Sequence, residues 1–275
     1  MIRKFIELDN ETISYLVDEE LTNIVVLFLH GFGDEAQRAL SLFKIKNRMY
    51  SIIAPDMPGC GQSTNNIETP TMEYYCEIVQ EFIEKTLKNK HIYVVAHSLG
   101  TAAGLYNATF NENIKLVFGV TPLMPRDESR ESIKIRSKWM LPSTPKELYE
   151  SQLNLFSKYD DTWIKTESVK QKILQTPPEF YIERKKRFTV LANEIFETSK
   201  IKKIYENFYN KKSNFIAIIS RNDHYFDFSR AEKYINLYNI NTYELNDSGH
   251  AMFYKNTDKI HKYINNFIIK KEGFY

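Results

Sequence analysis

Short hydrophobic runs recur along the first part of the chain, and their spacing predicts β-strands. Residues 2–8 and 12–17 alternate between apolar and polar positions, and the Asp9-Asn10 pair between them is typical of a hairpin turn. The next four runs are almost continuously apolar, which is the pattern of strands that are covered on both faces of a sheet. They comprise residues 23–29, 50–54, 91–96 and 114–120.

Helical patterns separate these strand-like runs and occupy residues 34–43, 71–88 and 100–110. Strands that alternate with helices form βαβ units, so the order predicts an α/β fold with a mostly parallel central sheet flanked by helices. The hairpin that opens the chain is expected to add an antiparallel edge to that sheet.

The alternation stops after residue 120, and the segment that follows has no strand-like run. Residues 122–208 are rich in helix formers and aromatic residues, and several prolines divide them into pieces. We therefore expect an all-helical insertion at residues 122–208. Its predicted helices are residues 127–140, 145–158, 166–174 and 178–198.

The α/β pattern resumes after this segment, so the helical segment is expected to be an insertion after the sixth strand. Residues 1–121 and 209–275 then form one core domain. The last predicted elements are a strand at residues 214–220, a helix at 229–238, a strand at 242–245 and a helix at 258–269.

The composition is that of a folded protein and excludes several functional classes. The 275 residues are 43% hydrophobic and carry a net charge of +2, which is too small to indicate nucleic-acid binding. No apolar run reaches the roughly 18 residues of a membrane helix, and the N-terminus lacks a secretory signal pattern. We expect a cytoplasmic protein with no nucleic-acid partner and no membrane span.

Metal and cofactor motifs are missing from the sequence. Cys60 and Cys76 are the only cysteines, and neither lies in a CxxC or Cys/His spacing, so we expect both to be reduced and structural. There is also no Gly-rich phosphate loop and no HExxH motif. The sequence therefore predicts no metal, nucleotide or redox cofactor.

The segment Ala96-His97-Ser98-Leu99-Gly100 joins a predicted strand to a predicted helix. Small residues on both sides of a serine permit a sharp turn that holds its hydroxyl clear of the sheet, at the positive end of a helix. A serine that only caps the helix is the alternative. The strand before it and the helix after it favour a nucleophile.

Further motifs follow other predicted strands, and with AHSLG they resemble the α/β-hydrolase fold superfamily in its serine esterase branch with a helical cap. The motifs occur in the family's order on the expected elements, and the resemblance covers about residues 2–270. It implies that the helical insertion at residues 122–208 is the family's cap, or lid. These motifs are HGFG at residues 30–33, DMPGCGQS at 56–63, SRND at 220–223 and DSGH at 247–250.

The resemblance implies a catalytic triad and an oxyanion hole. Ser98 would be the nucleophile that forms an acyl-enzyme, and His250 would take up its proton and pass one to the leaving group. Asp223 would orient the imidazole and stabilise its charged form. The backbone N–H groups of Phe32 and Leu99 would bind the oxyanion.

Two other aspartates compete with Asp223 for the acidic role. Asp227 follows four residues later, and Asp247 is close to the histidine in sequence. Asp223 comes three residues after its strand, where the family's acid lies, whereas Asp247 is expected to be a turn residue before a glycine. Chain order therefore favours Asp223.

The same resemblance gives supporting roles to residues around the site. His30 is expected to brace the oxyanion loop, Asp56 to fix the loop at residues 56–63, and His97 to pack and hydrogen-bond beside the nucleophile. The glycines expected in the motifs near the site are Gly31, Gly33, Gly59, Gly61 and Gly100.

Ser98 narrows the reaction, because dehalogenases and epoxide hydrolases of this superfamily have an aspartate at that position. Ester, thioester, lactone, amide and C–C bond hydrolysis and acyl transfer remain. We expect a hydrolase for a small acyl ester or thioester, of the carboxylic ester hydrolase type. Aromatic residues of the cap could line its acyl pocket.

Two alternatives remain open. The basic run at residues 184–187, with Lys202 and Lys203, is typical of a solvated helix face. It could instead dock an acidic acyl-carrier protein or a CoA phosphate, which would suit a thioesterase or a carrier-linked methyl esterase. In a different class, the chain would be a small-molecule receptor that uses the same scaffold with slow turnover.

Overall fold

A computed structural model describes residues 1–211 and 214–273 of the chain. Within these residues, eight strands form one sheet. The strands are β1 (Ile2–Glu7), β2 (Thr12–Val17), β3 (Ile24–Leu29), β4 (Ser51–Pro55), β5 (His91–His97), β6 (Ile114–Val120), β7 (Phe215–Ile219) and β8 (Asn241–Glu244).

The sheet confirms the predicted α/β architecture, with strand order β1-β2-β4-β3-β5-β6-β7-β8. β1 and β2 form the predicted antiparallel hairpin at one edge, with Ile6 opposite Ile13, and β2 also runs antiparallel to β4. All other neighbouring strands are parallel. The carboxyl ends of β3, β5, β7 and β8 therefore lie along the same edge of the sheet, where ligands bind in open α/β folds.

Helices cover both faces of the sheet, as the nearly continuous apolar strands require. Helices α2 (Met72–Thr86), α3 (Gly100–Phe110) and α8 (Thr198–Asn210) pack together on one face, while α1 (Leu40–Phe43) and α10 (Thr257–Glu272) pack together on the other. Alternate β3 residues point to opposite faces, with Leu27 in the first layer and Phe28 in the second. The other α-helices are α4 (Arg130–Met140), α5 (Pro145–Asn154), α6 (Glu167–Leu174), α7 (Pro178–Glu194) and α9 (Phe228–Leu237).

The segment between β6 and β7 is helical, and four of its helices begin close to their predicted positions. Ser129 and Thr144 cap α4 and α5 through their side chains, and prolines lie in the first turns of α5 and α7. The sequence did not predict α8 as a separate helix. Tyr205 and Phe208 bury α8 against α3, so this helix packs with the sheet domain.

Two further sequence expectations concern membrane spans and cysteines. Within the described residues, no helix combines the length and apolar character that crossing a bilayer requires. Cys60 and Cys76 are both buried and form no disulfide.

Candidate active site

Ser98 lies in a strained turn between β5 and α3. Its φ of +50° is in the left-handed region, which serine rarely adopts. The turn is held by a hydrogen bond from the Ser98 N–H to the Val120 carbonyl, 3.1 Å long. A β-carbon at Gly100 would lie 2.5 Å from the carbonyl oxygen of Leu29, so the first residue of the helix must be glycine. The motif thus places the Ser98 hydroxyl at the positive end of α3.

Asp223 and His250 lie side by side in the loops that follow β7 and β8. The His250 Nδ1 atom is 2.8 Å from Asp223 Oδ2, and both residues are buried. Asp223 Oδ1 accepts hydrogen bonds from the N–H groups of Tyr225 and Phe226, at 2.7 and 2.9 Å. A carboxylate held on both oxygens in this way has a fixed orientation toward the imidazole.

The competing aspartates have other partners. Asp227 forms a 2.8 Å ion pair with Arg230, and Asp247 forms a 2.6 Å ion pair with Lys259. Neither carboxylate is hydrogen-bonded to His250 in the part of the chain that the structure describes. The expected acid, Asp223, is thus the aspartate that contacts the histidine.

Ser98 and His250 line the same cavity of about 240 Å³ at the carboxyl edge of the sheet. Within residues 1–211 and 214–273, no hydrogen bond joins Ser98 Oγ to the His250 imidazole. Such bonds are often long or poorly aligned in serine hydrolases until substrate is bound. The cavity therefore brings Ser98 and His250 to one site, and the imidazole of His250 is in turn bound to Asp223.

His97 packs against His250 and is hydrogen-bonded to its backbone. Its Nε2 atom donates a 3.0 Å hydrogen bond to the carbonyl of His250, and the two ring centroids are 4.9 Å apart. Burial, assisted by the nearby His250 ring, lowers the pKa of His97 to about 3. His97 is therefore neutral at neutral pH, and it acts as a packing and hydrogen-bonding residue.

The expected oxyanion donors lie in two segments, the loop after β3 and the turn between β5 and α3. Phe32 and Leu99 both line the cavity, and their backbone N–H groups have no acceptor among the described residues. His30 braces the loop after β3, with Nδ1 2.8 Å from the Gly31 carbonyl and Nε2 accepting a 2.9 Å hydrogen bond from the Met57 N–H. Free N–H groups that face one oxygen can stabilise negative charge on it.

Asp56 holds the neighbouring loop together from a fully buried position. Its carboxylate accepts hydrogen bonds from the N–H groups of Ala36 and Gln62, at 2.6 and 3.2 Å, and pairs with Arg3 at 2.7 Å. Gly61 has a φ of +53° and lies against the Asp56 carboxyl group, where a side chain would collide with it. The role that the sequence suggested for Asp56 is thus structural.

The roof of the cavity comes from the helical segment after β6. Aromatic side chains of this segment line the cavity, among them Trp139, Phe180 and Phe196. Others lie elsewhere: Tyr181 and Phe188 are buried, for example, and Tyr159 is exposed. No sequence pattern indicated several of the lining residues outside the segment, of which Tyr225 packs with its ring centroid 5.0 Å from that of His250.

Four arginines line the cavity, and no pattern in the sequence predicted this. Arg38 forms a 2.7 Å ion pair with Asp34, while Arg126 and Arg136 both bind the half-buried Glu128. Burial alone would raise the pKa of Glu128, but the two guanidinium groups outweigh burial and lower it. The fourth arginine is Arg184 on α7, and the described residues supply no carboxylate that pairs with it.

The basic run on α7 is only partly solvated. Lys185 and Lys186 are exposed, but Arg187 donates a 2.6 Å hydrogen bond to the carbonyl of Gly59, and Arg184 turns toward the catalytic cavity. The solvated-face interpretation was therefore wrong for the two arginines. The two arginines directly flank the two lysines in the sequence, so the run itself could not reveal which face of the helix meets the core.

In residues 1–211 and 214–273, no cluster of three His, Cys, Asp or Glu side chains has the geometry of a metal site.

The chain is similar to known proteins over most of its length. A family model described as "alpha/beta hydrolase fold" matches residues 24–257. The monoacylglycerol lipase ABHD6 of Bos taurus is 23% identical over 259 residues, which cover 88% of this chain and 74% of that protein.

Solved structures share the fold at low sequence identity. A thermophilic esterase from Thermogutta terrifontis superposes with a TM-score of 0.73 at 16% identity, over 98% of this chain and 99% of its own. The Cif epoxide hydrolase from Acinetobacter nosocomialis gives a TM-score of 0.72 at 18% identity, over 97% and 88% of the two chains. One fold thus serves different reactions, and the residues of the site must distinguish them.

Proposed function

The chain belongs to the alpha/beta hydrolase fold family, and from that membership we propose that it is a serine hydrolase of carboxylic esters. The observation that carries the proposal is the cavity that Ser98 shares with His250, whose imidazole is bound to Asp223. A hydroxyl, an imidazole and a carboxylate in this order are the parts that acyl transfer through a serine requires.

In the first half of the proposed reaction, Ser98 Oγ attacks the ester carbonyl carbon while His250 Nε2 takes up the hydroxyl proton. The carbonyl oxygen becomes an oxyanion, which the N–H groups of Phe32 and Leu99 stabilise. The C–O bond to the alcohol then breaks as the imidazolium returns the proton to the leaving oxygen. Ser98 is left acylated and the alcohol is free.

In the second half, water replaces the alcohol. His250 removes a proton from water as the oxygen attacks the acyl carbon, and the same N–H groups bind the second oxyanion. Collapse of this intermediate breaks the bond to Ser98 Oγ, which regains the proton from His250. The net change is one ester and one water to one acid and one alcohol.

The choice of an ester substrate rests on the nucleophile and on the relatives. A serine at the elbow supports acyl chemistry rather than the epoxide opening named for one structural neighbour. The monoacylglycerol lipase that matches most of the chain acts on an ester. A thioester would pass through the same acyl-enzyme, and the carrier-docking variant of the hypothesis has less support because Arg184 and Arg187 turn inward.

The direct test is a panel of p-nitrophenyl esters of increasing acyl length, with acyl thioesters alongside. We expect wild-type protein to hydrolyse at least the shorter esters, and the Ser98→Ala variant to lose that turnover while keeping its melting temperature. Turnover that survives in Ser98→Ala would refute the proposed nucleophile. The acyl length at which kcat/KM falls reports the depth of the cavity, and faster thioester turnover would favour the thioesterase alternative.

A further inference from the structure

Arg184 reaches from the middle of α7 to the wall of the catalytic cavity. It differs from the other arginines there, because the described residues supply no carboxylate within 4.0 Å of its guanidinium. Burial of the side chain lowers its pKa, as expected when a charge is removed from water without a counter-ion.

The guanidinium of Arg184 is held in a fixed position. Its Nε donates a 2.8 Å hydrogen bond to the Met140 carbonyl, and the group lies 5.2 Å from the Phe32 ring centroid and 5.7 Å from that of Phe188. The hydrogen bond and the two aromatic rings together restrict the movement of the group. Both Nη atoms remain without a protein acceptor in the described residues.

Gly33 makes room for this group. Its φ is +59°, and a β-carbon there would lie 2.5 Å from Nη1 and 2.8 Å from Nη2 of Arg184. The guanidinium thus rests on the loop that carries the Phe32 N–H, and a side chain at residue 33 would displace it. The cation is therefore built into the site beside the expected oxyanion donor.

Two acids near the cavity are already occupied. Asp34 acts electrostatically on Arg184, but both of its oxygens bind Arg38, at 2.7 and 3.1 Å. Glu128 is shared by Arg126, Arg136 and the more distant Arg230. The charge of Arg184 is left for whatever enters the cavity.

We propose that Arg184 binds a carboxylate carried by the substrate, so that the preferred substrate is an ester of a molecule with a second, ionised acid group. The inference rests on the proposed function and specifies its substrate class. The two Nη groups of a fixed guanidinium can each donate a hydrogen bond to one oxygen of a carboxylate. A lysine ammonium could not bind both oxygens in the same geometry. The carboxylate can belong to the acyl part or to the alcohol part of the ester.

Two substrate pairs distinguish these sources. The acyl pair is p-nitrophenyl hemiglutarate and p-nitrophenyl hexanoate, and the alcohol pair is 4-butyryloxybenzoate and its methyl ester. For one pair, we expect Arg184→Gln to lower the ratio of kcat/KM for the charged over the neutral ester about 10- to 100-fold, as the loss of a charged hydrogen bond predicts. Arg184→Lys should restore part of that ratio.

Arg187→Gln is the matched control, since Arg187 is one turn further along α7 and donates to Gly59 instead of lining the cavity. It should leave both ratios close to those of wild type. Equal ratios in wild type and Arg184→Gln for both pairs would overturn the inference, while turnover of the neutral esters would leave the proposed function intact.

A binding measurement separates the two claims if turnover is absent. Ser98→Ala should bind p-nitrophenyl hemiglutarate or 4-butyryloxybenzoate, measured by calorimetry, and the added Arg184→Gln change should weaken that binding about 10-fold or more. Absence of ester turnover by the wild-type protein would count against the proposed function. Equal binding by the single and double variants would count against the role of Arg184.

Discussion

Backbone strain at single residues marks the candidate site. Ser98 and Thr121 have φ values of +50° and +43°, and both line the catalytic cavity. A positive φ is unusual for serine and more so for β-branched threonine, and such strain persists only where the surrounding structure enforces it. The Thr121 hydroxyl also lies 3.4 Å from the His250 carbonyl, which His97 binds as well. Strain and hydrogen bonds at these residues thus fix the histidine relative to the nucleophile.

Asp223→Asn tests the proposed orientation of the histidine. An amide would present its NH2 group or its neutral oxygen to His250 Nδ1, so the imidazole would lose the tautomer and the charge stabilisation that the mechanism needs. We expect kcat for p-nitrophenyl esters to fall about 10,000-fold, as it does for the corresponding change in serine proteases. The matched control Asp227→Asn should have a much smaller effect, and similar losses in both variants would contradict the assignment.

His97 should make the protein less stable in acid. Burial depresses its folded-state pKa to about 3, below the usual 6.5, so the unfolded chain binds the extra proton as pH falls. The His97 contribution to stability is therefore fully present above pH 6.5. It is lost toward pH 3, at about 1.4 kcal/mol per pH unit.

His97→Gln is the variant that isolates this contribution, because an amide can still donate to the His250 carbonyl but gains no charge. Its unfolding free energy, measured by denaturant titration at pH 7.5 and pH 4.5, should fall less than that of wild type over the same interval. An equal fall in unfolding free energy for the two proteins would show that His97 is not buried in a neutral form.

At the scale of elements, the site depends on how closely α3 approaches β3. Gly100 begins the helix against the carbonyl oxygens of Leu29 and His30, and Gly104, one turn later, packs against Val94. The two glycines differ in what surrounds them, since the first meets backbone and the second meets a side-chain methyl group. The close contact at Gly100 brings the N-terminus of α3 next to the loop that carries the expected oxyanion donor, the N–H of Phe32.

Gly100→Ala should therefore be far more damaging than Gly104→Ala. A methyl group at residue 100 would lie 2.5 Å from a backbone oxygen that cannot move without distorting β3, whereas at residue 104 it would lie 3.0 Å from Val94 Cγ1. We expect the first change to lower the unfolding free energy by about 3 kcal/mol or more, and the second by about 1 kcal/mol. Thermal unfolding of both variants is the measurement, and equal losses would contradict this account of the turn.

Much of the element order could be predicted because the signals are local. Continuous apolar runs mark the parallel strands, and Ser98, Asp223 and His250 each follow a strand whose carboxyl end lies at one edge of the sheet. Helix α8 was missed because no proline marks its start and no side chain caps it. Arg184 was missed as a cavity residue because its position depends on how the cap lies over the sheet, which no local pattern encodes.

At the scale of the whole molecule, the helical segment and the sheet domain build the site together. The N–H of Ala251 donates a 2.7 Å hydrogen bond to the carbonyl of Leu155, and the N–H of Gly249 donates to Asp160 at 3.1 Å. The residues on both sides of His250 are thus bonded to the helical segment. The same segment carries Arg184 and the aromatic roof, so it sets the position of the proposed base as well as the substrate preference.

The central claim is that Ser98 is an activated nucleophile, and a fluorophosphonate probe tests it most directly. Phosphonylation needs a serine that is deprotonated by its neighbours, but it does not depend on the identity of the substrate. Wild-type protein should gain one probe per chain, with peptide mapping placing the label on Ser98, and Ser98→Ala should gain none. Wild type that stays unlabelled, or a label that persists in Ser98→Ala, would contradict the claim.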